Sequence, residues 1–207
     1  MKILLDKSPA IIQQQRERFG DVIWQLRTPL TRYELAGCPY GLDNGAFTRF
    51  DETTWLRLVA EAREVKPLFV CLPDIVGSAR RTLELFDAFK PATLGVPRAL
   101  VLQDGIGDFA IPWTHLDAVF IGGSDKFKTS EEAFSAARAA KILGKWVHVG
   151  RINGAKRVEQ WRGVADSCDG SGMSRAAAGD GFDRSLEDVV QAIRNDVQQM
   201  SILEGIA

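Results

Sequence analysis

The chain has 207 residues, a length that sets one domain as the first expectation and can bury a substantial core. Hydrophobic residues make up 45% and charged residues 26%, the balance of an ordinary globular protein, and no apolar run is long enough for a membrane-spanning helix. A formal net charge of −1 excludes a protein that holds nucleic acid by bulk positive charge, but it leaves room for a local basic patch.

Short β-rich runs alternate with helical patterns along the chain. Ile3-Leu4-Leu5 predicts a first strand, and Pro9 to Phe19 a helix with Ser8 as N-cap and Pro9 in the first turn. Val22 to Leu26 predicts a second strand, followed by a helix around Arg32 to Leu35. Tyr40-Gly41-Leu42 predicts the third strand, ending at Asp43. A helix follows over Thr53 to Val65, with Trp55, Leu58, Val59 and Ala62 on one face. Leu68 to Leu72 is an unbroken apolar run, as expected of a strand buried on both sides, and Ser78 to Phe89 is helical. Ala99 to Leu102 and Ala118 to Ile121 predict strands five and six. Ser130 caps a helix to Leu143, which Gly144 ends. Trp146 to Val149 predicts strand seven, and Asn153 caps a helix to about Arg162. Ser167-Cys168 predicts strand eight, and Ser185 caps a last helix to about Met200.

Eight strand–helix units predict a parallel sheet closed on itself, a single minimal (β/α)8 TIM barrel over residues 1–207 with few insertions. The three cysteines, Cys38, Cys71 and Cys168, are odd in number and far apart, which predicts free thiols in a reducing, cytoplasmic setting. The opening Met1 to Asp6 turns acidic too soon for a signal peptide.

Active sites of such barrels lie at the C-terminal ends of the strands. Polar residues collect there. Strand three runs into Asp43-Asn44-Gly45-Ala46-Phe47, strand four into Pro73-Asp74 and strand five into Gln103-Asp104-Gly105. Strand six runs into Gly122-Gly123-Ser124, strand seven into Gly150-Arg151-Ile152-Asn153 and strand eight into Asp169-Gly170-Ser171-Gly172. Turns need Asp and Gly in any protein, but six such ends at one mouth predict a site. Carboxylates accept hydrogen bonds from a nucleobase, and one of them can attack carbon. Gln103 both donates and accepts, Gly122 and Gly123 let backbone approach a flat ligand, and Phe47 offers a stacking face. No phosphate-cradling Walker loop and no dinucleotide fingerprint is present. His115 precedes strand six and reads as structural. His148 reads as a core-facing or hydrogen-bonded histidine, the tryptophans as core, and Asp104 and Asp125 as loop residues.

In order and spacing, these motifs from Tyr40 to Arg175 resemble the tRNA-guanine transglycosylases and their relatives, the 7-deazaguanine DNA transglycosylases (DpdA-like) of phages and bacterial islands. The resemblance implies roles. Asp43 would be the aspartate that assists catalysis and Phe47 the ring that stacks on the base. Asp74 and Gln103 would read the purine, the Gly122-Gly123 backbone would contact it, and Asp169 would be the nucleophile. It implies replacement of guanine by a 7-deazaguanine (preQ0-like) base through an aspartyl-glycosyl intermediate, without cofactor. The tRNA enzymes also carry a zinc site of clustered cysteines and a histidine, whereas here neither residue type follows Cys168. That departure implies no metal and favours DNA over tRNA, with a free deazaguanine as second substrate. Lys126, Lys128, Arg151, Lys156, Arg157 and Arg175, in or just beyond the loops after strands six to eight, are the candidate backbone-phosphate contacts. A tRNA-guanine transglycosylase, a nucleoside or glycoside hydrolase on the same carboxylates, and a non-catalytic nucleic-acid-binding barrel are the alternatives.

Overall fold

The computed structural model describes residues 1–179 and 184–204, with side chains described through residue 195. Eight parallel strands close into a barrel in chain order: β1 (Lys2–Leu5), β2 (Ile23–Arg27), β3 (Tyr40–Leu42), β4 (Val70–Cys71), β5 (Arg98–Leu102), β6 (Ala118–Ile121), β7 (Trp146–Val149) and β8 (Ser167–Asp169), with β8 pairing back onto β1. The helices are α1 (Pro9–Phe19), α2 (Glu52–Glu64), α3 (Ala79–Phe89), α4 (Glu131–Ile142), α5 (Ala155–Gln160), α6 (Ser171–Ala177) and α7 (Ser185–Glu204). This is the expected (β/α)8 TIM barrel. Among the described residues no helix is long and apolar enough to cross a membrane, and Cys38, Cys71 and Cys168 are free.

Side chains alternate across each strand, so each strand feeds two cores. Leu4, Leu26, Phe69, Cys71, Ala99, Val101, Ala118 and Phe120 fill the barrel interior, all at most 8% exposed. Ile3, Leu5, Leu100, Val119, Ile121, Val147 and Val149 face outward, against the helices. Trp55, Leu58, Val59 and Ala62 are all buried against β3 and β4, as their helical spacing predicts. Gly41 is dictated by packing: a Cβ there would stand 2.5 Å from the Phe69 ring.

Three local expectations are corrected, and a fourth, the Ser8 cap, holds in position only. No helix follows β2; residues 28–39 are irregular. Their backbone is satisfied instead by β2 side chains, Gln25 bonding Glu34 O and Ala36 N, and Arg27 bonding Tyr33 O. Ser8 sits at the N-cap position of α1 but its hydroxyl makes no capping bond. Gly154, not Asn153, precedes α5, which ends at Gln160; the Asn153 amide oxygen instead accepts Gly172 N at 2.8 Å. Ser185 is the first residue of α7 rather than its cap. The sequence reading also passed over α6, which starts in the loop after β8 and runs only two residues into the Gly/Ala-rich stretch from Ala176 to Gly181; residues 180 and 181 of that stretch lie outside the described residues. Strand and helix ends elsewhere shift by one to four residues.

Candidate active site

The C-terminal ends of the strands surround a cavity of about 370 Å³, within the size range of small-molecule sites. Asp43, Phe47, Asp74, Gln103, Gly122, Gly123 and Asp169 all line it, as do Lys128, Arg151 and Arg175. Of the other predicted phosphate contacts, Lys126 and Lys156 are exposed and Arg157 is half-buried, and none of the three lines the cavity.

Asp74 follows β4 and is 9% exposed. Asn44 Nδ2 donates to its Oδ1 at 2.8 Å and Gln103 Nε2 to its Oδ2 at 2.7 Å. Both amides are themselves fixed. Asn44 also donates to Leu72 O and accepts from Ala46 N, and Gln103 Oε1 accepts from Gly77 N. The Gln103 amide is therefore oriented with its NH2 toward Asp74. Burial raises the Asp74 pKa, and the two amide donors oppose that rise. Each carboxylate oxygen keeps a second lone pair free to accept from a ligand N–H.

Gly122 is a glycine because its neighbours leave no room: a Cβ would stand 2.7 Å from Val101 and 2.9 Å from the Gln103 amide nitrogen. Gly123 adopts a left-handed φ of 69°, conformation that glycine takes without steric cost. The bend is pinned from outside the cavity by Asp104, which accepts Ser124 N at 2.8 Å and Ser124 Oγ at 2.5 Å.

Asp43 accepts the Asn44 N–H at 2.7 Å. Its carboxyl is pushed up to about 7, first by burial and then by the charges of Asp169 and Asp74. Asp169 is the last residue of β8. Parallel register sets His148 beside Ser167 and Leu4 beside Asp169, so all four project into the barrel. Asp169 Oδ1 accepts Arg151 N at 2.6 Å, and Oδ2 lies 3.3 Å from His148 Nε2. His148 is fully buried, against the Phe69 and Phe120 rings. Its Nδ1 lies 2.8 Å from Ser167 Oγ, which receives the Trp146 indole N–H at 2.9 Å. A carboxylate can only accept, so the arrangement is satisfied when the imidazole turns an Nε2 proton toward Asp169; in the neutral ring Nδ1 then accepts from Ser167 Oγ, whose oxygen also takes the indole N–H.

Arg151 has a left-handed φ of 62° although it is not glycine. That conformation aims its N–H at Asp169, and its guanidinium lies 4.0 Å from the centre of the Phe47 ring. Phe47 is 60% exposed, so the pair bridges the mouth from the β3 loop to the β7 loop. No protein-family model and no curated protein matches the chain.

Three features of the site were missed or only partly read in the sequence. Asp6, at the end of β1, is a fourth carboxylate in the cavity; burial raises its pKa, and Thr31 donates to it at 2.6 Å. Its position after a strand is the same signal that marked the others. His148 was read as a core or hydrogen-bonded histidine, which it is, but its partner is the candidate nucleophile. Lys128 was read as a backbone-phosphate contact in the loop after strand six, but its burial was not foreseen: it is 2% exposed and lines the cavity.

Proposed function

We propose that this barrel exchanges a nucleobase on a glycosidic bond, replacing guanine in DNA with a 7-deazaguanine. The observation that carries the reading is the pair of carboxyl groups in one cavity with opposite environments. Asp43 is half-buried and held up to about 7 by desolvation and by its carboxylate neighbours, where it can carry a proton at neutral pH. Asp169 faces two N–H groups, those of Arg151 and His148, and serves as the nucleophile. A carboxyl that holds its proton, beside one gripped by two N–H groups, can divide the roles of acid and nucleophile.

In this reading Asp74 and Gln103 read the base edge while Phe47 covers its face. Asp169 attacks C1′ as the C1′–N bond to guanine breaks, and Asp43 gives its proton to the leaving base. The incoming deazaguanine returns a proton to Asp43, and its nitrogen displaces Asp169 from C1′. Reaching C1′ and the base edge together requires an extruded nucleotide or a single strand. DNA is preferred over tRNA because the cysteines and histidines are dispersed: Cys71 and Cys168 lie in separate strands, Cys38 in a loop and His115 at the opposite end of the barrel. Among the described residues no group of three or more His, Cys, Asp or Glu side chains could hold a metal ion.

The test is release of labelled guanine from DNA and from unmodified tRNA, with and without a panel of deazaguanines. Release that requires a deazaguanine supports exchange. Release without one identifies a hydrolase, release from tRNA alone overturns the DNA assignment, and binding without release identifies a non-catalytic barrel.

A further inference from the structure

Lys128 stands in the turn Phe127–Thr129 after β6, and its side chain lines the cavity at 2% exposure. The turn is held in place: Lys128 N donates to Ser124 O at 3.1 Å, Phe127 N to Ser124 Oγ at 3.1 Å, and Ser124 is fixed by Asp104. The lysine is therefore buried by a built turn. Its ammonium makes no hydrogen bond and no ion pair with any described residue. Burying an unpaired charge costs stability, so the group is held for something that enters the cavity.

The surrounding charges indicate what that is. Carboxylates reach the cavity from β1, β3, β4 and β8; the cations Lys128 and Arg151 reach it from β6 and β7 with no carboxylate of their own strand end lining it, whereas Lys7 and Arg175 line it beside the carboxylates of β1 and β8. Arg151 and Arg157 act on Lys128 as like charges, and Asp169 and Asp125 as opposite ones; burial and the arginines together lower its pKa to about 8. A ligand suited to this division offers N–H groups to the acidic side and negative charge to the basic side. A nucleotide does both, through its base and its phosphate. We propose that Lys128 anchors a phosphate subsite inside the cavity, holding the phosphate joined to the sugar on which Asp169 acts. A compact ammonium suits a tetrahedral anion approached from one side. The identity of the nucleotide rests on the base-exchange reading; the phosphate subsite stands on Lys128 alone.

The test is binding of deoxyguanosine and its 5′- and 3′-monophosphates to the full chain, with inorganic phosphate as a separate probe. Wild type is expected to bind one monophosphate at least about tenfold tighter than the nucleoside, the scale of one hydrogen bond to a charged group, and Lys128→Met to lose that preference. A guanine-centred trideoxynucleotide compares a diester in a strand with the free monoester. Lys128 methylation by formaldehyde and borohydride, read by peptide mass spectrometry on wild type, needs no variant. Phosphate and the favoured monophosphate should protect Lys128, and deoxyguanosine should not. Equal affinities for nucleoside and monophosphates with no protection overturn the subsite even if exchange is observed. Protection with no exchange keeps the subsite and overturns the exchange reading instead.

Discussion

Asp43 gives the sharpest quantitative test, because its protonation can be read both in stability and in rate. Its pKa rises from an ordinary 3.8 to about 7 on folding. That is roughly three units, each about 1.36 kcal/mol, or about 4 kcal/mol in all. The folded protein then holds a proton that the unfolded chain has released. The resulting stabilisation is complete below about pH 3.8 and is lost as pH rises through about 7. Asp43→Asn removes the titration while its amide oxygen still accepts the Asn44 N–H. Urea unfolding of both proteins from about pH 4 to about pH 8 should show the variant gaining on wild type by up to about 4 kcal/mol across this range. A difference that stays flat would refute the desolvated, charge-crowded environment from which the acid role is argued. The rates carry the same group with opposite signs. Guanine expulsion needs protonated Asp43, so kcat/KM for the DNA half-reaction should fall above about pH 7. Capture of the incoming base needs it deprotonated, and in the glycosyl-enzyme Asp169 is an ester without the charge that helps to raise Asp43, so kcat/KM for the deazaguanine should fall on the acid side, at a lower pH than the guanine limb. Asp43→Asn should flatten both limbs.

Asp169→Asn should abolish exchange with the fold intact, since an amide cannot form the glycosyl-enzyme bond; measurable turnover would remove Asp169 from the nucleophile role. Asp74→Asn should change which base is accepted, because an amide puts a donor where the carboxylate only accepts; competition between guanine and deazapurines reads this directly. Lys128→Met should leave stability unchanged or raise it by about 1–4 kcal/mol, as replacing buried charge with a well-packed apolar chain commonly does, and a marked loss in thermal unfolding would mean that the ammonium has a structural partner. Arg151→Gly should be about 1 kcal/mol less destabilising than Arg151→Ala, because only glycine takes the left-handed conformation without steric cost.

The barrel was legible because its two periods are local: strands bury alternate residues on two sides, and helices bury one face. The polar strand ends were legible for the same reason, since each directly follows its apolar run. What escaped notice depends on contacts between distant segments. The loop over residues 28–39 reads as helical at Arg32 to Leu35 because nothing nearby forbids it; only Gln25 and Arg27, reaching out of β2, give its backbone other partners. Asn153 has the chemistry of a helix cap, but β8 brings Gly172 N within its reach. Lys128 looks like any loop lysine until the Asp104–Ser124 clamp folds its turn inward.

His148 shows how closely fold and candidate chemistry are joined in this barrel. Trp146 and His148 share one side of β7, and Ser167 and Asp169 share the same side of β8. Strand alternation thus aligns indole, hydroxyl, imidazole and carboxylate in a single hydrogen-bonded series that needs no loop to assemble it. The acceptor-only carboxylate at one end sets the direction of the protons: the imidazole meets it with an N–H, and the serine oxygen takes the indole N–H at the other end. The second Asp169 oxygen is fixed by Arg151, whose strained backbone stands at the neighbouring strand end. A carboxylate gripped at both oxygens from rigid strands keeps one orientation while a ligand enters, and a small barrel with short connections can therefore hold a reactive geometry without a covering domain.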